Sequence, residues 1–302
     1  MPSGSTAYAG SRLQTEESVG QVRSEAQPLA APARLLQHSG TLLLVVVSLI
    51  GLAAFGYPFL LSRVPQHDPL GAHAADAPLI VGLLVPLLLL LVLAELGTRQ
   101  ASAKLIALLG VLTAMNAVLR LPTGLGDSPT VFFLPILLGY AYGAQFGFLV
   151  GALSIFVSAF LIPAGFGPWL PFQMFALGWL GMGAAALRPV QRLGHWPERI
   201  ILTLYGYVGC LLFGVLINLY FWPLTASGSA LDWQPGLGLV ETVARYRLFY
   251  LATSLAWDTL RGLFTAGLIL VLGAPILLTL RRFGARWSWQ PIVAIDNGAQ
   301  PS

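Results

Sequence analysis

Charge is what this chain of 302 residues has least of. Only 9% of them are Asp, Glu, Lys or Arg, against roughly 25% in a soluble domain. With 56% hydrophobic residues, a single water-soluble domain is excluded, and a polytopic membrane protein is the class that remains. There is one cysteine, Cys210. It excludes an intramolecular disulfide and a cysteine metal cluster, and inside an apolar run it reads as a small buried hydrophobe. The single lysine, Lys104, follows Ala103, so the Gly-Lys-Ser/Thr of a phosphate-binding loop is missing and ATP hydrolysis by that route is excluded. The four histidines, His38, His67, His73 and His195, are all expected in loops, outside the helices. That excludes an intramembrane Ser–His protease and an in-membrane zinc site. The segment His67–Asp76 reads as a solvated loop, not a metal site. The paired acidic motifs of lipid-phosphate transferases are absent too. A binder or carrier is expected, with no catalytic residue, metal or cofactor.

Apolar runs are what the chain has. They cover 41–61, 78–97, 104–119, 131–145, 147–162, 170–187, 199–222 and 248–279. A spanning helix needs about 20 residues. Residues 130–162 as one helix would reach roughly 50 Å at 1.5 Å per residue. The segment is therefore split near Ala144-Gln145-Phe146. With the N-terminus inside, eleven basic residues then fall on the cytoplasmic side, among them Arg188, Arg192, Arg199, Arg281 and Arg282. Four fall outside (Arg63, Arg120, Arg245 and Arg247), and Arg261 lies within the membrane. A merged helix would put Arg188, Arg192 and Arg199 outside, against the positive-inside rule. The expected fold is all-α and polytopic, with about eight transmembrane helices and both termini cytoplasmic. The net charge of +4 thus reads as cytoplasmic loops, not as a nucleic-acid partner. Residues 1–40 read as a disordered cytoplasmic tail, 41–97 as a helix pair, 104–283 as a six-helix core and 284–302 as a second tail. The first apolar run is too long for a cleavable signal.

The stretch FGPWLPFQMFALGWLGMG (Phe166 to Gly183) opens a helix with two prolines, a tryptophan and an amide. Trp169 suits the interface, Pro171 suits a helix start, and Gln173 lies one turn deeper. The outer loops 121–130, 163–171 and 223–246 are rich in Gly, Pro or aromatics, so the outer face is where a ligand is expected. Asn116, Gln173 and Asn218 are polar residues near the outer helix ends. They serve either helix–helix bonding or, with aromatics such as Trp169, Tyr246, Tyr250 and Trp257, a pocket. Asp258 and Arg261 are three apart within an apolar helix and can pair. Either the pair neutralises itself or it offers a charge to a ligand.

Small residues recur every four positions at Gly139, Gly143, Gly147 and Gly151, which implies close internal helix packing. Gly178, Gly181 and Ala185 form a second stripe. Ala103, Ala107, Gly110 and Ala114 form a third, which serves either internal packing or the docking of another membrane subunit.

The blocks AKLIALLGVLTAMNAVLRLPTGLG, TVFFLPILLGYAYGAQFGFLVGALSIFVSAFL and GFGPWLPFQMFALGWLGMGAAAL resemble the substrate-binding S components of energy-coupling factor (ECF) transporters, bacterial ABC-type importers of vitamins. The cobalamin-type, actinobacterial branch is the nearest in FLPILLGY, FGFLVGALS and GPWLPFQM. The resemblance implies a six-helix core, preceded here by two extra helices, in a bacterial plasma membrane. It implies an outward-opening site for a vitamin or related micronutrient, cobalamin first. Its partners would be a transmembrane coupling subunit and two ABC ATPases, besides the lipid bilayer. The resemblance also places the coupling-subunit contact on the Ala103, Ala107, Gly110, Ala114 stripe. Asn116, Arg120, Trp169, Gln173, Asn218, Tyr246, Tyr250, Trp257, Asp258 and Arg261 are the residues expected to bind substrate. A membrane-embedded enzyme or lipid-handling protein using Asp258, and a structural membrane protein, are the alternatives.

Overall fold

The computed structural model describes residues 31–60, 73–98, 103–122, 124, 129–224 and 229–287, without the side chains of 31–39, 95–98, 103–106 and 285–287. The predicted residues 1–30, Arg63, His67 and 288–302 lie outside the described residues. The helices are α1 (Ala31–Gly56), α2 (Ala77–Thr98), α3 (Ala103–Val118), α4 (Phe133–Tyr142), α5 (Ala144–Ser158), α6 (Leu170–Ala184), α7 (His195–Phe221), α8 (Leu239–Thr253) and α9 (Leu255–Trp287). No strand occurs among the described residues. Each expected apolar run becomes a helix. The last is interrupted at Ser254, although Ser254 N–H to Tyr250 O and Asp258 N–H to Ser254 O carry the helical bonding across the break. α1 begins at Ala31, ahead of the expected boundary at residue 41, so His38 lies in a helix and not in the expected loop, as does His195 at the start of α7.

Among the described residues, five helical stretches are long and apolar enough to cross a membrane: Gly40–Leu60, Ala77–Ala94, Leu170–Leu193, His195–Leu224 and Leu255–Gly284. α3, α4 and α5 are shorter. α4 has 10 residues and α5 has 15, roughly 15 and 22 Å, below the ~30 Å of a bilayer core.

The predicted split of 130–162 is present, at Gly143. Its φ of 112° and ψ of 175° are open to a residue without a Cβ. The chain reverses there. Gly139 and Gly147, on either side, come so close that a methyl group on one would run into the backbone of the other. Both also abut the Gly181 carbonyl of α6, and Gly151 abuts the Leu177 carbonyl. The contact between α5 and α6 is the most extensive in the molecule. One glycine of the stripe therefore turns the chain, and three let backbones touch.

The bundle has two distinct ends. At the lower end Gly40 meets Gln145, Tyr142 donates to Leu280 O (2.9 Å), and Arg281 pairs with Glu198. At the upper end Phe55 stacks edge-on against Phe172 (4.9 Å) and Phe59 against Trp233 (5.6 Å). The chain thus enters through α1 and leaves through α9 at the same end. α1 also packs along α6, where Trp179 Nε1 donates to Ser48 Oγ (3.1 Å). Leu44, Val47, Leu84 and Leu88 join the same buried core as Leu137 and Phe175. The first two helices are part of the body of the fold.

Candidate functional site

Most of the predicted polar residues collect at the upper end, in two clusters. The first joins α3, α5 and α6. Arg120, 7% exposed, lies just past α3. Its Nη1 donates to Ser158 Oγ (2.9 Å) and its Nη2 to Gln173 Oε1 (2.5 Å). Gln173 sits where expected, one turn into a helix that carries Pro at its start. One turn below Arg120, Asn116 is fully buried. Both of its amide atoms lack a hydrogen-bond partner among the described residues, as do Thr113 Oγ1 and Ser154 Oγ. Thr113, Asn116 and Arg120 share one face of α3, and Ser154 and Ser158 share one face of α5. The Arg120–Ser158 bond sets the two faces against each other.

The second cluster joins α7 to α9. Asn218 Nδ2 donates to Gly214 O (2.8 Å) and its Oδ1 accepts from Ser254 Oγ (3.0 Å). Asp258, 3% exposed, accepts from Arg261 Nη1 at 2.6 Å. Its other oxygen, Oδ2, makes no hydrogen bond among the described residues. That oxygen fills the space that a methyl on Gly214 would need. The Arg261 guanidinium lies 5.5 Å from the ring centres of both Phe132 and Phe213. The pairing predicted from the three-residue spacing is therefore present. A burial this deep needs it, because each lone charge would cost about 2.5–3.5 kcal/mol at mid-bilayer. The turn that starts α4 lies between the clusters. Thr130 donates to Leu119 O on one side, and Thr265 donates to Pro129 O (3.0 Å) on the other.

The aromatic residues divide. Tyr246 donates to Val215 O and lies 4.9 Å from Trp222. Burial raises its pKa, so it acts as a neutral donor. Tyr250 donates to Leu211 O (3.3 Å). Trp169 is half-buried over Gly167. Trp257 is 53% exposed, because its position next to Asp258 on the helix turns it outward. It joins neither cluster.

Sequence reading missed one group altogether. His73 belongs to the segment expected to be a solvated loop, yet it is 4% exposed. Its Nε2 lies 2.7 Å from Tyr220 O and its Nδ1 2.6 Å from Asp76 Oδ2. Tyr57 donates to the same Asp76 oxygen (2.8 Å), and the His73 ring packs on Phe172 at 4.5 Å. Only N–H can face a carbonyl, so Nε2 is the donor. This group ties the end of α1 and the start of α2 to α6 and α7. The HxxD spacing of His73 and Asp76 was its only trace in the sequence.

The third small-residue stripe differs from the others. Ala107, Gly110 and Ala114 are exposed on α3, and among the described residues nothing lies within 4 Å of a methyl placed on Gly110. Among the described residues no group of three or more His, Cys, Asp or Glu could hold a metal. Cys210 is buried and donates to Thr265 Oγ1 (3.4 Å).

Fold and site together define an all-helical protein with several apolar helices that can span a membrane, and a buried polar centre near one end. No protein-family model, curated protein or solved structure matches the chain.

Proposed function

We propose that the chain is the substrate-binding S component of an ECF-type importer. It would take a vitamin or related micronutrient at its upper, outward end. Cobalamin is the first candidate, and a thiamine-like or riboflavin-like compound the second. In this reading all eight apolar segments cross the bilayer, α8 lies outside, and both termini are cytoplasmic in a bacterial plasma membrane. Of the three shorter helices, α4 and α5 are sheltered by their neighbours, and α3 keeps an exposed outer face. The carrying observation is Asn116, fully buried with both amide atoms unpartnered among the described residues. A buried amide without partners costs about 1–3 kcal/mol. A ligand that bonds to Asn116, with Arg120 and Gln173 one turn above, recovers that cost on binding. The exposed Ala107, Gly110 and Ala114 face supports docking of the coupling subunit, which would bring two ABC ATPases. Because α1 and α2 share the core, they would move with the rest.

The test is Asn116→Leu in the purified protein. The account expects the ligand-free protein to melt at the wild-type temperature or higher, and vitamin-induced stabilisation to disappear. A destabilised variant that keeps ligand-induced stabilisation would make Asn116 a structural residue.

A second reading has one observation in its favour, the Oδ2 of buried Asp258, which has no partner among the described residues. A membrane-embedded enzyme using this carboxylate would turn over without partners. It would lose that turnover in Asp258→Asn while still binding its substrate.

A further inference from the structure

The lower end carries a cleft between α7 and α9 that the transport reading leaves unused. Its volume is about 280 Å³. The floor is apolar, formed by Leu202, Ile269, Leu277 and Leu278, and the rim carries Arg199, Arg281 and Glu198. Glu198 is neutralised where it stands. It pairs with Arg281 and accepts from the Tyr140 hydroxyl (2.5 Å). Arg199 is different. Its Nε donates to Leu270 O (2.6 Å), which fixes the guanidinium, while Nη1 and Nη2 have no protein partner among the described residues. The guanidinium lies 5.6 Å from the ring centre of Trp196, which is 59% exposed. A tryptophan in the first turn of a spanning helix marks the level of the lipid headgroups. The cleft therefore offers an oriented cation at headgroup depth above an apolar slot.

We infer that this cleft binds an anionic phospholipid of the adjoining leaflet. The phosphate would lie on the free edge of Arg199 beside Arg281, with an acyl chain along Leu202 and Leu277. The excess of one arginine over acid at the rim selects a net negative headgroup. Basic pockets between spanning helices recognise lipid in this way. A zwitterionic lipid brings its own cation against the arginines and is disfavoured.

The test is native mass spectrometry of the delipidated full chain with phosphatidylglycerol, phosphatidylcholine or glycerol phosphate. Phosphatidylglycerol is expected to bind about fivefold tighter than phosphatidylcholine, the worth of one arginine near an anionic surface. Arg199→Gln should erase that preference. Ala274→Leu, which fills the slot and leaves the rim intact, should lower binding of both lipids. It carries the test if Arg199→Gln does not fold. Equal binding of the two lipids by the wild type, or wild-type binding by Ala274→Leu, would overturn the inference. So would competition by glycerol phosphate, because the site would then take a bare phosphate.

Discussion

The α4–α5–α6 contact and the outer face of α3 carry the same residue pattern, small side chains every three or four positions, with opposite surroundings. On α4 and α5, Gly139, Gly147 and Gly151 are small because another backbone occupies the space a side chain would need. On α3, Ala107, Gly110 and Ala114 are exposed, and among the described residues nothing stands where a methyl on Gly110 would go. The first set is explained by the fold. The second has no such neighbour among the described residues, and it is the face that the proposed coupling subunit would use. Spacing gives the stripe, and the neighbours give its purpose.

Three glycines grade this difference. The largest effect belongs to Gly147→Leu, which forces backbones apart at the hairpin. Overpacking typically costs about 1–3 kcal/mol and sometimes more, and here no flexible side chain can yield. Little folded protein is expected in detergent by size-exclusion chromatography, and a sharp monodisperse peak would contradict the packing account. Gly214→Ala is intermediate, because its obstacle is the Asp258 carboxylate, the end of a side chain. The protein should fold with a lowered melting temperature, and ligand binding should weaken as the Asp258–Arg261 pair is displaced. Unchanged binding would place that pair outside the site. The smallest effect on stability is expected for Gly110→Leu, within about 0.5 kcal/mol. In cells holding the coupling module the same variant should abolish uptake while purified protein still binds ligand. Normal uptake would leave the α3 stripe without a docking role.

Much of the fold was legible because apolar runs and a length limit suffice to place helices. The break in 130–162 followed from length and from arginine placement, and it appears at Gly143, one residue before Ala144. What Gly143 does was not legible, since a glycine in a periodic stripe looks alike whether it packs or turns. In the site, Gln173, Asn218, Asp258 and Arg261 were visible as polar residues in apolar surroundings, whereas Arg120 was expected in an outer loop and is buried. Trp257 faces away from Asp258, 53% exposed, because neighbouring helical residues are rotated by about 100°. His73 was read as solvated because its burial depends on Phe172 and Tyr220, far along the chain. The cleft between α7 and α9 was equally hidden, because its floor and rim come from opposite ends of the core sequence.

The central claim is that the upper end holds a small molecule. The most direct measurement is to purify the full chain in mild detergent, record its visible spectrum, denature it and identify the released compounds by mass spectrometry. The account predicts a stoichiometric micronutrient, with a corrinoid first, then a thiamine or flavin compound. A protein that releases nothing, and that gains no stability from a panel of added vitamins, would contradict it.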